Sequence, residues 1–380
     1  MKACNMDSNL VGFPGKGEAL TKIFFSSGGS SVTAAVYRRQ RKRQRKAGLA
    51  RPTAHPDSEA ALLKIRLLKI SIAASLAELD VLQPLWNELY RLSPQATMFQ
   101  KFQWNRLAAE FFDLRERPYV IAVRNSGGAA IIPACIAGGE IKFLGEKLFD
   151  YPSPLCAGEP AARDIAWEQL LSLRLPLRVS GIREADAAWP ATAAAWTGAP
   201  FVSRELSARQ FASSHPNLAR QVRRLKRLGV ALNAETATQP TVKQLYDLKA
   251  GTESLGAENL FGDKLRREFL LAAARSGDPP AELHRFSRGE EWIAALLSFR
   301  DGTVQRFYTT WFDPAWRRYS PGSALLYEVT RLSLAEGLEC DYMTGEQPFK
   351  LRLATGVKPL YQLAMSAEAA GPQRELLAAA

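Results

Sequence analysis

Three β-like runs decide the fold: Glu282-Leu-His-Arg-Phe-Ser287, Trp292-Ile-Ala-Ala-Leu-Leu-Ser-Phe-Arg300 and Thr303-Val-Gln-Arg-Phe-Tyr-Thr-Thr-Trp311. They are separated by Arg288-Gly-Glu-Glu291 and Asp301-Gly302, short glycine-bearing breaks of the kind that turn one strand back onto the next. The same figure stands 163 residues earlier, where Tyr119–Arg124, Ala129–Ala137 and Glu140–Gly145 are split by Asn125-Ser-Gly-Gly128 and Gly138-Gly139. The offset holds outside the meander as well. Leu82 and Leu85 fall on Leu245 and Leu248, and the strand-like Leu175–Gly181 falls on Leu338–Thr344. Chance rarely makes so many turn signals and period changes coincide without a gap, so the chain reads as one α/β unit written twice.

Working outward, each copy has the order strand, two helices, three-strand meander, helix, strand. That is a mixed α/β pattern, in which a crossover helix joins parallel strands. In the first copy the helices are expected at Leu76–Leu92, with Pro84 as a feature that disfavours the first, then at about Gln103–Arg115 and at Ala162–Leu173. In the second they are expected near Gly262–Arg275 and at Gly322–Glu336. Residues 182–215 read as a connection with Ala-rich sequence suited to a short helix. After it, His215-Pro216 opens an amphipathic helix that ends at Gly229, a favourable C′ residue. Its polar side carries Arg220, Arg223, Arg224, Lys226 and Arg227, which the sequence reads first as a solvated face.

Composition excludes several classes. Apolar content of 47% and charged content of 23% are those of an ordinary globular protein. No uncharged apolar run reaches the ~18 residues of a membrane span, and no signal peptide is evident, which predicts a cytoplasmic protein. The four cysteines are scattered singly at 4, 135, 156 and 340, and the three histidines at 55, 215 and 284 lack ligand spacing, so no metal site is expected. The net charge of +12 is concentrated toward the N-terminus, where Arg38–Lys46 holds seven cations in nine residues. Such a run self-repels, so residues 1–66 are expected to form a disordered basic tail. No aromatic residue within it could stack bases, which argues against nucleic acid as a partner, although its charge leaves counterion-driven binding open.

The chemistry is expected where the third run of the second copy ends. Asp313-Pro314 closes that strand, Arg317 and Arg318 follow, and a helix opens at Ser320-Pro-Gly322-Ser323. Ser320 is the expected N-cap, Pro321 suits the first turn, and Gly322 would let a ligand approach the backbone. The unpaired N–H groups of that turn, with two arginines beside them, would hold a phosphate or pyrophosphate. The first copy has Pro154–Pro160 in this place, without arginine and with Glu159, so only one working site is expected.

This turn resembles the acyl-CoA-binding turn of the GNAT acyltransferases, whose signature is Arg/Gln-x-x-Gly-x-Gly/Ala; Ser320 stands where the signature has its first glycine. The stretch Asp341-Tyr-Met-Thr-Gly-Glu-Gln-Pro-Phe-Lys350 resembles the CelD-like proteins associated with cellulose and exopolysaccharide biosynthesis. The tandem arrangement is similar to the Fem-type aminoacyl transferases. The resemblance implies two tandem GNAT-like mixed-sheet domains. A degenerate one spans 67–182, a connecting segment with the basic helix spans 183–240, an acyl-CoA-binding one spans 241–366, and a tail follows at 367–380. It implies acetyl-CoA or another acyl-CoA as co-substrate, held by Arg317, Arg318, Ser320, Gly322 and Ser323. Acyl transfer to an amine, such as one on a sugar or sugar nucleotide, would use Asp341 or Glu346 to remove a proton. Tyr342, Tyr308 or Tyr319 would protonate the leaving thiolate, with Lys350 as a further candidate at the strand end. Two alternatives stay open: aminoacyl transfer from a charged tRNA, and a non-catalytic scaffold in a polysaccharide synthesis complex.

Overall fold

The computed structural model describes residues 68–145, 147–183, 189–191, 193–251 and 260–369. The basic tail expected over 1–66 and most of the C-terminal tail lie outside them. The first half runs β1 (Lys69–Ala73), α1 (Leu76–Leu92), α2 (Phe102–Phe111), β2 (Arg117–Pro118), β3 (Val120–Arg124), β4 (Gly128–Ile132), β5 (Ala134–Ala137), β6 (Glu140–Phe143), β7 (Leu155–Gly158), α3 (Ala161–Leu171), β8 (Leu177–Ile182) and β9 (Ala194–Val202). Two helices then intervene, α4 (Ala208–Ser214) and α5 (Pro216–Arg227). The second half runs β10 (Ala231–Thr236), α6 (Gln239–Ala250), α7 (Lys264–Arg275), β11 (Ala281–Arg288), β12 (Glu291–Asp301), β13 (Val304–Phe312), α8 (Pro321–Ala335), β14 (Glu339–Asp341), α9 (Pro348–Leu351) and β15 (Gly356–Met365).

The offset of 163 survives at the level of elements. It carries Leu76, the start of α1, onto Gln239, the start of α6; Gly128, the start of β4, onto Glu291, the start of β12; and Val202, the end of β9, onto Met365, the end of β15. Local chemistry explains several boundaries. Ser75 caps α1 by accepting from the Glu78 N–H, and α5 ends in a Schellman motif, with Gly229 (φ +79°) donating to Lys226 and Val230 to Leu225.

α1 covers Leu76–Leu92 as expected and runs unbroken through Pro84, because Leu79, Leu82, Trp86 and Leu89 bury one continuous face that outweighs a single lost backbone bond. Two strands were not expected. Residues 194–202, expected as helix or connection, form the long strand β9; an apolar run flanked on both sides by strands lacks the alternation that marks a half-exposed one. In the first copy, Leu155–Gly158 within the Pro154–Pro160 segment forms the strand β7, which pairs with β4.

β9 also sets the topology. A four-stranded sheet has the order β1-β3-β4-β7, and an eleven-stranded mixed sheet the order β10-β11-β12-β13-β14-β9-β15-β8-β6-β5-β2. By the offset β9 corresponds to β15 and β8 to β14. Each half therefore lends its last strand to the other: β9 pairs with β14, β15 pairs with β8, and the two lent strands pair together. A shared core reinforces the exchange. Trp104 on α2 packs edge-on against Phe269 on α7 and Phe299 on β12, at centroid distances of 6.0 and 5.4 Å. On the opposite face of the second half, α5 and α8 cover the sheet through Val222, Leu225, Leu325 and Val329. Among the described residues no helix is long and apolar enough to cross a membrane.

Candidate active site

β13 and β14 are parallel neighbours for only three residue pairs, Val304 with Glu339, Gln305 with Cys340 and Arg306 with Asp341. Beyond Arg306 they part. At the same point the ladder between β12 and β13 skips a residue: Ser298 faces Phe307 and Leu297 faces Thr309, leaving Tyr308 as a bulge. A bulge bends and twists its strand, so β13 turns away from β14 and a wedge opens, with Phe307–Phe312 on one side and Tyr342–Thr344 on the other.

From the wedge the chain runs straight to the expected anion turn. Pro314–Tyr319 forms a 3₁₀ helix started by Asp313, whose side chain accepts from the Ala315 N–H at 2.9 Å. Ser320 follows at φ +48°, ψ +49°, and α8 begins at Pro321. Ser320 therefore stands at the expected N-cap position, but without a capping hydrogen bond from its side chain. It occupies the left-handed region that the signature's glycine would fill, and its side chain caps nothing. The first turn of α8 thus keeps N–H groups uncapped by any side chain, which leaves its positive end open to an anion. Gly322 also has a packing role. A Cβ there would come within 3.3 Å of Phe312, so the glycine makes room for that ring. Arg317 and Arg318 are exposed beside the turn. Arg318 lies 4.7 Å from the Tyr319 ring centroid, and Arg224, from the cationic face of α5, lies 4.8 Å from the same ring. Arg224 was legible only as one of five cations on a helix; the packing of α5 on α8 brings it to the turn.

The candidates near Asp341 separate. Asp341 accepts from the Arg306 guanidinium at 2.6 Å, the Tyr151 hydroxyl at 2.7 Å and the Met343 N–H at 2.8 Å. Arg306 also grips Asp301 at 2.7 Å, and Asp301 accepts from the Met98 N–H. Burial opposes the Arg306 charge, but the two carboxylates outweigh it and hold its pKa above the ordinary value. With three donors already bound, the Asp341 carboxylate is engaged in holding the fold, and the geometry makes it a tie between the halves. Tyr342 is fully buried, and its hydroxyl is bonded to Thr330 on α8 at 2.8 Å. Tyr308 gives its hydroxyl to the Leu148 carbonyl at 2.8 Å. Burial raises both phenols well above the ordinary value, which suits core positions better than proton donation. Glu346 is exposed above Gly198 on β9.

Lys350 differs from these. On the short helix α9, half-buried, it donates to the Thr344 carbonyl at 2.8 Å, at the β14 side of the wedge. Burial pushes its ammonium down to about 8 against the attraction of Asp150 and Asp341. Asp150, from a loop of the first half, has its carboxyl pushed up by burial despite the nearby Lys350 ammonium, which favours its charge. Opposite stands Lys249 at the end of α6, donating to the Thr310 carbonyl of β13 at 2.6 Å, with its pKa lowered by burial. Sequence reading missed both Asp150 and Lys249, since neither lies in a motif and only tertiary packing brings them to the wedge.

Residues 212–351 match the family described as Acetyltransferase (GNAT) domain. The matched segment contains α5, the bulged strand, the turn and Lys350. No curated protein matches the sequence significantly. Among solved structures, a conserved protein of unknown function from Bacteroides thetaiotaomicron superimposes with a TM-score of 0.50 at 10% identity, over 78% of this chain and 100% of that one. The C-terminal domain of a putative lysylphosphatidylglycerol synthetase from Agrobacterium fabrum gives 0.47 at 11% identity, over 78% and 95%. A tandem GNAT protein from the clavulanic acid biosynthesis pathway gives 0.45 at 13% identity, over 80% and 99%. At such identities the first likeness speaks for the fold alone.

Proposed function

We propose that the second half is an N-acyltransferase that takes an acyl group from acyl-CoA and passes it to an amine, such as one on a sugar or sugar nucleotide of envelope or exopolysaccharide synthesis. One observation carries the reading: a bulged strand parts from its parallel neighbour and leads without interruption into an uncapped helix end flanked by Arg317, Arg318 and Arg224. The residues present fit a diphosphate, since uncapped N–H groups and guanidinium groups with no carboxylate partner among the described residues both favour phosphate oxygens. Bound acyl-CoA would supply the activated thioester.

The chain's own residues would do the rest. The turn and its arginines anchor the donor, and the wedge aligns the reacting ends, which lowers the entropic part of the barrier. With its ammonium at about 8, Lys350 keeps roughly a tenth of its population as free amine at pH 7. That free amine takes the proton the acceptor nitrogen loses as the amide bond forms and the C–S bond breaks, and the proton then passes to the leaving thiolate. The test is release of free thiol from acetyl-CoA in the presence of an amine panel. Acceptor-dependent thiol release supports the proposal, and its absence with every amine rejects it.

The cationic face of α5 favours a second reading, in which a charged tRNA is the acyl donor. Arg220, Arg223, Arg224, Lys226 and Arg227 form no ion pair with a carboxylate among the described residues. Retention of the protein on aminoacylated tRNA, without any binding of CoA, would select that reading.

A further inference from the structure

α6 buries Val242, Leu245 and Tyr246, and Lys249 follows at i+4 from Leu245 and i+3 from Tyr246, on the same face. A cation there is costly, and the fold does not demand it. In the first half the equivalent position is Trp86, fully buried, with its indole N–H donating to the Gln100 carbonyl at 2.7 Å. The second half has therefore placed a lysine where its counterpart has a core side chain. Its ammonium carries three donors, of which the Thr310 carbonyl takes one at 2.6 Å. The ring of Phe261 lies 5.8 Å away, and among the described residues no carboxylate stands within 4.0 Å of it. Thr310 belongs to the stretch of β13 beyond its last partner in β14, so this cation lies at the wedge, near enough to Lys350 for its charge to act there.

We infer that the acceptor carries a carboxylate or phosphate beside its amine, and that Lys249 seats this anionic group opposite Lys350. The inference rests on the acyltransferase reading and narrows its acceptor to an amine with an adjacent anion. Three features support it: a core-facing position given to a cation, two ammonium donors without an acceptor among the described residues, and a location across the wedge from the residue assigned the proton transfer. An incoming anion would supply a charged partner that the half-buried ammonium does not have among the described residues. The same cation would repel protonated amines lacking an anionic group, giving discrimination by repulsion as well as attraction.

The test uses product-like pairs that differ only in the anion: N-acetylglycine against N-methylacetamide, and N-acetylglucosamine 6-phosphate against N-acetylglucosamine. Melting temperature is followed for the native protein, Lys249→Gln and Lys249→Arg, since a ligand bound only to the folded state raises it. The charged member of one pair should raise the native Tm while its neutral twin does not, and the responding pair identifies carboxylate or phosphate. Lys249→Gln should abolish the difference and Lys249→Arg should keep it. In turnover, the native preference for the charged acceptor should be about tenfold or more, as expected for one charge-assisted bond. It should vanish in Lys249→Gln. Equal shifts within both pairs, or a preference intact in Lys249→Gln, would overturn the inference. If no amine is acylated, the acyltransferase reading fails, while the melting data still decide whether Lys249 holds an anion.

Discussion

At the scale of single residues, the wedge holds two lysines whose burial has opposite consequences for binding and for proton transfer. Lys350 is held at about 8, below the ordinary lysine value of 10.5. Between these two values the unfolded chain binds more protons than the folded one, so the Lys350 contribution to stability rises as pH increases through that window. Below it the full cost of the buried cation is present. Activity should follow the free amine. We expect kcat/KM to climb through an apparent pKa near 8 and level off above it, while Lys350→Ala lowers kcat by about 10² or more and flattens the profile. A pH–rate series on both proteins checks this, and an unchanged profile in the variant would remove Lys350 from the proton path. Asp341 should behave differently. Its carboxylate sits in a buried network with Arg306 and Tyr151, so Asp341→Ala should cost about 3–5 kcal/mol of stability. Denaturant unfolding measures that loss, and any fall in activity should track the folded fraction.

At the scale of elements, the turn before α8 shows what sequence can and cannot reveal. The order strand, arginines, helix is legible in Asp313–Ser323, because proline, glycine and hydroxyl residues mark the helix start. The conformation of Ser320 is not. A serine before a helix reads as a cap, yet here it sits at φ +48° and caps nothing, because the 3₁₀ helix before it fixes the approach of the chain. Left-handed geometry costs a non-glycine residue about 1–2 kcal/mol, partly offset by the greater entropy that glycine loses on folding. Ser320→Gly should therefore stabilise the protein by up to about 1 kcal/mol and leave the anion turn intact. Thermal melting decides it, and a destabilised variant would mean the serine hydroxyl has work the geometry does not show. β9 was illegible for another reason. An apolar run between two strands has no polar face, and periodicity cannot separate it from buried helix.

At the scale of the whole molecule, the repeat was readable and the strand exchange was not. The offset of 163 is a property of local patterns, each of which recurs in the sequence. The pairing of β9 with β14 and of β15 with β8 joins segments more than 135 residues apart, and neither segment's composition names its partner. The exchange means that neither half owns a complete sheet. A fragment beginning at Ser203 lacks β9, the partner of both β14 and β15, and would expose two strand edges. Such a fragment should fail to give a cooperative unfolding transition, whereas the span from Leu68 to Ala369 should give one. Circular dichroism melting distinguishes the outcomes; a stably folded second half would show that the lent strands are dispensable.

The account depends most on the turn between Pro314 and Ser323 as a seat for the donor's phosphates. Calorimetric titration of acetyl-CoA into the native protein and into the Arg317→Ala, Arg318→Ala double variant tests it directly. The account predicts micromolar binding that weakens at least about tenfold in the variant, the equivalent of one or more charge-assisted bonds. No heat at millimolar acetyl-CoA, or equal affinity in the two proteins, would contradict it.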